Sequence, residues 1–106
     1  MLKTGYTNHV ADAINANGTL GYVIVNKVVP GTNGKQSRDI HIFEVALPSL
    51  TIVRKLKSYT EGVDMPGPAG YGSITYLPNN TLWVNLAIAR ADNANDIVWH
   101  SEIIAI

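Results

Sequence analysis

The sequence predicts an all-β fold of antiparallel strands, and three observations carry this prediction. Apolar residues recur at every second position along most of the chain, which is the period of a strand with one buried face. Short turns rich in Asn, Gly and Pro separate the alternating segments. Only Asn8–Ala16 offers a short helical alternative, and a strand is favoured there because the segment leads directly into a hairpin turn.

Seven segments follow the alternating pattern. In the second segment, Leu20, Tyr22 and Ile24 point one way while Val23 and Val25 point the other. In the sixth, one face carries Leu82, Val84, Leu86 and Ile88, and the other carries Trp83, Asn85, Ala87 and Ala89. The predicted strands are Val10–Asn15, Thr19–Val29, Asp39–Leu47, Leu50–Tyr59, Gly72–Leu77, Thr81–Arg90 and Asp96–Ile104.

The turns between these strands are marked by residue type. Asn17-Gly18 is the strongest hairpin signal, because both residue types tolerate positive φ, and Asn79-Asn80 is a weaker version of it. Pro48-Ser49 separates the third and fourth strands. Residues 61–70 hold two prolines and three glycines, which suits a connection between two structural units.

The two units predicted on either side of this connection resemble each other. Asn79-Asn80-Thr81-Leu82 lies 62 residues after Asn17-Gly18-Thr19-Leu20, and Asp96-Ile97 matches Asp39-Ile40 across a shorter loop. We therefore divide one β domain, residues 1–106, into unit one (about 8–60), a linker (61–70) and unit two (about 71–106). Generic hairpin similarity is the alternative to true repetition.

Four-stranded repeats of this size are typical of propeller blades. The expected architecture is about two antiparallel four-stranded blades, with a compact β-sandwich or barrel as the alternative. Unit two has no counterpart of Leu50–Tyr59 before Ile106, so the missing strand would come from residues Leu2–Tyr6 or from another copy. Three copies of two blades would close a six-bladed ring, so the expected partner is the chain itself, as a homo-oligomer for which a trimer is the number of copies that closes the ring.

Composition excludes several classes of function. The formal net charge is zero, with eight basic and eight acidic residues, which argues against nucleic acid as a partner. Arg54, Lys55 and Lys57 are read as the solvated side of a strand. The chain has no cysteine, and no apolar run reaches the roughly 20 residues that span a bilayer. We expect no membrane insertion, and the compartment stays open, with virion or cytoplasm as options.

Two stretches resemble the blade hairpins of BNR-repeat, sialidase-like β-propellers. They are residues 7–27, TNHVADAINANGTLGYVIVNK, and residues 70–103, GYGSITYLPNNTLWVNLAIARADNANDIVWHSEI. The resemblance lies in the order of strand, Asn turn, strand, loop and Asp-Ile strand. It implies a propeller and a tendency toward glycans, as in carbohydrate-active enzymes, lectins and phage tail proteins that contact host surface sugars.

The sequence departs from that family at its catalytic motifs. The Ser-x-Asp-x-Gly-x-Thr-Trp turn is absent, and Arg38, Arg54 and Arg90 do not assemble an arginine triad. The resemblance therefore carries over no catalytic site. We expect a protein that is not an enzyme, with no cofactor.

Glycan-binding residues are expected among aromatic and rim residues. Trp83 and Trp99 are candidates beside Asn85 and His100, although burial as core tryptophans between blades is the stronger general tendency. His9 and its repeat counterpart Tyr71 precede the first strand of each unit, where binding residues collect, or they are ordinary surface residues. The candidate set for glycan binding is Trp83, Trp99, His9, Tyr71 and Arg90.

Other polar residues are given structural roles. Glu44 and Glu102 match across the repeats, and each is read as a solvated strand residue or the partner of a nearby lysine instead of a glycosidase acid or base. His41 and His100 lie in matching strands, but the spacings of a metal site are missing. The favoured function is a non-enzymatic glycan-binding or host-surface-recognition module that completes a propeller by self-association. The alternatives are a structural virion or assembly protein and a degenerate fragment of a carbohydrate-active enzyme.

Overall fold

The computed structural model describes residues 8–30, 36–60, 72–89 and 97–106, and these residues form two antiparallel sheets. The strands are β1 Asn8–Ile14, β2 Leu20–Pro30, β3 Gln36–Ala46, β4 Thr51–Thr60, β5 Gly72–Leu77, β6 Thr81–Ala89 and β7 Ile97–Ala105. The predicted all-β class is confirmed, and all seven strands lie within a few residues of their predicted bounds. The segment that starts at Asn8 is a strand, as favoured from the sequence.

Each sheet is a simple meander. Sheet A has the strand order β1-β2-β3-β4, and sheet B has the order β5-β6-β7. The described strands form these two open sheets and do not close into a barrel, so the barrel alternative is wrong. In the part of the chain that the structure describes, no helix is long and apolar enough to cross a membrane. Residues 2–6 and the predicted linker, residues 61–70, lie outside the described part.

One hydrophobic core joins the two sheets. Sheet A contributes residues of β2 and β3, and sheet B contributes residues of β5, β6 and β7. The buried residues of this cluster are Tyr22, Ile24, Ile40, Ile42, Ile74, Leu82, Val84, Leu86 and Ile104. The predicted alternation is confirmed on both strands, since Tyr22 and Ile24 of β2 and Leu82, Val84 and Leu86 of β6 all belong to this buried cluster.

The two sheets meet through the same face of each unit. Tyr22 and Ile24 match Val84 and Leu86 in the repeat alignment, and all four side chains lie between the sheets. Successive propeller blades stack front to back, so matching residues of two blades point the same way around the ring. Here matching residues point toward each other, as in a two-layer packing.

The space between the sheets is narrow on one side and wide on the other. The backbones of β1 and β5 approach within 8 Å, and Gly72 permits this because a Cβ there would lie 3.2 Å from Cγ1 of Val10. No backbone approach of that kind links β4 and β7 among the described residues. Long side chains cross the wide side instead, as described below.

Two β-bulges in β4 change which of its residues face the core. Leu56 is inserted between the pairs Phe43↔Lys55 and Ile42↔Lys57, and Val53 is inserted near Glu44. Each extra residue reverses the alternation, since a bulge places two residues opposite one. Arg54 and Lys57 therefore share the side on which Glu44 and Glu102 lie, and each pairs with one of these glutamates while its side chain stays 51% and 42% exposed, respectively, so the basic cluster is not a wholly solvated face.

The two Asn turns differ in geometry. Asn79 and Asn80 both have positive φ, 69° and 54°, in a tight connection. In the first hairpin only Gly18 has positive φ, 74°, and Asn15 closes a longer loop because its Oδ1 accepts hydrogen bonds from the backbone N–H groups of Thr19 and Leu20. The two turns are similar in composition and not in structure.

Candidate functional site

The solvent-facing side of sheet B, called here the outer face, carries both tryptophans. Cross-strand pairs place Thr75 beside Trp83, Trp83 beside Ile103, and Asn85 beside Ser101. Trp99 lies opposite Ala87, so it occupies the other end of the same face. The outer face consists of Ser73, Thr75, Trp83, Asn85, Ala87, Trp99, Ser101 and Ile103.

Both tryptophans are exposed. Trp83 retains 45% of its accessible surface and Trp99 retains 67%. The expectation that these two tryptophans are buried core residues is therefore wrong within this chain. Strand alternation explains the result, because Trp83 lies between the buried residues Leu82 and Val84 and must point the other way.

Hydrogen bonds fix the polar centre of the outer face. Nε1 of Trp83 donates to Oγ of Ser101 at 2.9 Å, which holds the indole in one orientation. Nδ2 of Asn85 donates to Oγ of Ser73 at 3.4 Å. Trp83 and Asn85 thus have defined positions before any ligand arrives.

The remaining predicted site residues do not join this face. His9 lies on β1 of sheet A, where its Nε2 is 3.1 Å from Oδ2 of Asp12 and both side chains are exposed. Tyr71 and Arg90 lie outside the described residues. His100, the polar neighbour of Trp99 in the sequence, points to the opposite side of β7, where its Nε2 meets Glu102. Ser101 and Ile103 were not predicted, although the same alternation places them with Trp99.

A polar cluster closes the wide side between the sheets, and we call it the inter-sheet cluster. Glu102 is its centre: Tyr59 Oη donates to Oε2 at 2.7 Å, Nε2 of His100 lies 2.8 Å from Oε2, and Nζ of Lys57 lies 2.9 Å from Oε1. The ring of Tyr59 also meets the ring of His100 edge to face, with 5.2 Å between centroids. Tyr59 and Lys57 of β4 are thereby tied to His100 and Glu102 of β7.

These contacts shift the ionisation of two groups. The hydrogen bonds from His100, Tyr59 and Lys57 lower the pKa of Glu102 to about 2. Burial, and then the hydrogen bond to Glu102, raises the pKa of Tyr59 above its ordinary value. Glu102 is therefore a carboxylate and Tyr59 a neutral phenol at neutral pH, so the cluster is built to hold the sheets together and not to exchange protons.

The lowered pKa of Glu102 predicts a loss of stability in acid. Its stabilising contribution is complete above pH 4.5, the ordinary value, and is lost as the pH falls toward 2. We expect Glu102→Gln to lower the free energy of unfolding by about 1–2 kcal/mol at neutral pH, because partly exposed partners are screened by water. Urea unfolding of both proteins should show this difference vanish between pH 4.5 and 2.

Asp12→Asn is the matched control, since Asp12 is an exposed carboxylate with a single histidine partner. Its unfolding free energy should stay close to that of the parent protein. A difference between parent and Glu102→Gln that is the same at neutral and acid pH would contradict the assigned role of the Glu102 charge.

A second carboxylate, Glu44, is also held by partners and not by solvent. Glu44 is 4% exposed, and Nε of Arg54 lies 3.1 Å from its Oε1. The prediction that Glu44 is solvated is wrong, because Glu44 is buried and pairs with Arg54. The prediction that Glu102 is the partner of a nearby lysine is confirmed by its contact with Lys57.

Within the described residues, no group of three or more His, Asp or Glu side chains could hold a metal ion, and His41 lies on the other sheet from His100.

Comparison of the sequence with protein-family models and with curated proteins, and of the structure with solved structures, finds no match. The likeness to sialidase-like blades therefore stays an expectation, and arguments about function depend on the geometry of the chain itself.

Proposed function

We propose that this chain is a non-enzymatic glycan-binding module whose binding surface is the outer face of sheet B. The observation that carries the proposal is the exposure of Trp83 and Trp99 on one face of the sheet that also presents amide and hydroxyl groups. Sugar rings have C–H faces that stack on indoles and hydroxyls that need hydrogen-bond partners. The outer face offers both kinds of contact.

The position of Trp83 supports stacking. Its indole is bound to Ser101, so a ligand does not have to immobilise a freely rotating side chain. Immobilising a side chain on binding costs about 0.5–1.5 kcal/mol. A pre-oriented indole therefore retains more of the stacking free energy for affinity.

The spacing of the tryptophans favours an oligosaccharide over a monosaccharide. Trp83 and Ala87 are four residues apart on β6, and Trp99 lies beside Ala87. At about 3.4 Å per residue, the backbone positions of the two tryptophans are separated by roughly 14 Å along the strands. Asn85 and Ser101 lie between them, where they would meet the middle of a bound sugar chain.

The charge of the outer face favours a neutral glycan. No charged side chain points outward among the described residues of this face. These residues lie within Ser73 to Thr75 on β5, Trp83 to Ala87 on β6 and Trp99 to Ile103 on β7. A carboxylate-bearing sugar would lose hydration without gaining an ionic partner. We therefore expect neutral hexose chains to bind in preference to sialylated ones, in contrast to the sialidase-like resemblance.

The carboxylates support a binding role without catalysis. Acid–base hydrolysis of a glycosidic bond needs two carboxyl groups that flank the substrate. Glu44 and Glu102 instead accept hydrogen bonds from inward-facing partners, between the sheets and away from the outer face. A bound glycan would not reach either group.

The proposal predicts a loss of affinity when either indole is removed. A glycan array of neutral and sialylated chains would identify a ligand, and titration calorimetry would then compare variants. Trp99→Ala and Trp83→Ala should each weaken binding about tenfold or more, because one aromatic contact contributes roughly 0.5–1.5 kcal/mol beyond the area it buries. Both proteins should stay folded, since both side chains are exposed.

Ile103→Ala is the matched control, because Ile103 is an exposed apolar neighbour of Trp83 without a stacking ring. It should change affinity less than either tryptophan variant. An array with no neutral glycan retained, or retention that survives the double change W83A/W99A, would refute the proposal.

A second candidate function, a self-assembling structural protein, is favoured by one observation. Trp83, Trp99 and Ile103 form an exposed apolar set on an uncharged face, which is typical of protein interfaces. The expected trimeric propeller would bury this face between copies, whereas the face-to-face packing of the two sheets favours a compact sandwich that leaves it free. Light scattering, which measures the mass of the particle in solution, distinguishes the two functions. A monomer of 11.5 kDa would support the glycan-binding surface. A trimer that Trp99→Asp converts to monomers would support the assembly function.

A further inference from the structure

A small apolar pocket opens on the solvent-facing side of sheet A, on the other layer from the tryptophans. Its volume is about 170 Å³. Its walls come from β1, β2, β3 and the turn before β4, and the residues are Ile14, Val23, Val45, Leu47 and Leu50 above Gly21. Ile14 and Leu50 are 59% and 37% exposed, so the pocket is open to solvent between them.

Gly21 leaves room for this pocket. A Cβ at position 21 would lie 3.2 Å from Cγ2 of Val45 and 3.5 Å from Cδ1 of Leu47. Val45 and Leu47 therefore pack directly over the backbone of β2, and the missing side chain leaves a depression in the sheet surface. Glycine within a strand often marks a place where another group approaches the backbone.

Leu50 forms one wall in an unusual backbone conformation. Its φ is 61°, in the left-handed region that branched and bulky residues seldom adopt. The conformation is held by the hydrogen bond from its N–H to the carbonyl of Ala46, at 2.8 Å. Backbone strain of this kind is concentrated at ligand-binding and active sites.

Asp12 provides the charge at the pocket. It is the acidic residue among those that line it, and its carboxylate is exposed, with Nε2 of His9 3.1 Å from Oδ2. Among the described residues that line the pocket, none is basic. A ligand with a positive charge is therefore favoured over one with a negative charge.

We propose that this pocket binds a small arylalkyl amine, with a benzene-sized ring between Val45, Leu47 and Leu50 and a primary ammonium group beside Asp12. The size fits, because an apolar protein cavity of roughly 150 Å³ takes up one benzene molecule. The ring removes apolar surface from water, and the ammonium stays at the solvent-exposed rim, where Asp12 accepts a hydrogen bond from it. This site is independent of the glycan surface and lies on the other sheet.

NMR titration with three probes of equal size tests the proposal: benzylamine, benzyl alcohol and benzoate. Benzylamine should shift the amide signal of Gly21 and the methyl signals of Val45 and Leu47, benzyl alcohol should bind more weakly, and benzoate weakest. Asp12→Asn should reduce benzylamine affinity about two- to fivefold, the range of an exposed ion pair, and should leave benzyl alcohol unchanged.

Leu50→Gly tests the location of the site without endangering the fold, because glycine adopts φ 61° readily. It should weaken all three probes, whereas Val53→Ala, an exposed apolar change on β4 outside the pocket, should weaken none. Absence of shifts with every probe, benzoate affinity equal to that of benzylamine, or unaltered binding by Leu50→Gly would each overturn the proposal.

Discussion

Leu86→Asp is expected to prevent folding. Leu86 is 2% exposed and belongs to the core cluster shared by the two sheets, together with Leu82 and Val84 of the same strand. Truncating a buried leucine to alanine costs about 2–5 kcal/mol, and an ionised carboxylate without a partner adds the cost of its lost hydration. Since whole domains are stable by only about 5–15 kcal/mol, this single change should consume most or all of that margin.

The neighbouring residue supplies a matched control. Asn85 is next to Leu86 on β6 and points to the outer face, so Asn85→Asp introduces the same charge on the opposite side of the same strand. Circular dichroism and thermal unfolding should show strand structure and a cooperative transition for Asn85→Asp and neither for Leu86→Asp. Equal behaviour of the two variants would mean that the inward face of β6 is assigned wrongly.

The strands and their faces could be predicted because both follow from a local pattern. The period of two gave all seven strands, and it placed Leu82, Val84 and Leu86 on the buried side of β6. The same rule, applied strictly, also places Trp83 on the exposed side. The general tendency of tryptophan to be buried argued for the wrong outcome, because the two-residue period of a strand overrides the preference of a single side chain.

The inter-sheet cluster could not be predicted because it depends on an irregularity. Strict alternation along β4 sets Arg54 and Lys57 on opposite sides, and the bulge at Leu56 puts them on one side. The residue types around Leu56 do not indicate a β-bulge, since the bulge is defined by the pairing of β4 with β3. The link from Tyr59 to Glu102 further requires knowledge of how the sheets face each other, which a repeat alignment does not contain.

Part of the proposed glycan surface could be predicted from alternation, and the rest depends on how the sheets pack. Trp83, Trp99 and Asn85 share a face by alternation within β6 and β7, once the register Ala87↔Trp99 is known. His9 was grouped with them through its position at the start of a unit, but that position lies in sheet A. Whether a residue belongs to a site depends on how the two units pack together. The repeat alignment shows only which positions of the two units are equivalent.

Arg54→Ala is expected to destabilise the protein by about 2–3 kcal/mol. Removing one member of a buried ion pair typically costs about 3–5 kcal/mol, because the remaining charge loses its partner without regaining water. Glu44 is buried, whereas the side chain of Arg54 is 51% exposed, so water replaces part of the lost interaction and the lower figure follows.

The double variant R54A/E44Q separates the charge from the packing. If the cost of Arg54→Ala arises from an unpaired carboxylate, adding Glu44→Gln should recover about half of it in urea unfolding at neutral pH, since a neutral amide is cheaper to bury. Lys55→Ala is the control, because Lys55 is the adjacent cation and is exposed, and it should stay within about 0.5 kcal/mol of the parent protein. Equal losses for Arg54→Ala and Lys55→Ala would show that the bulged strand does not direct Arg54 to Glu44, and the basic residues of β4 would then form a solvated face after all.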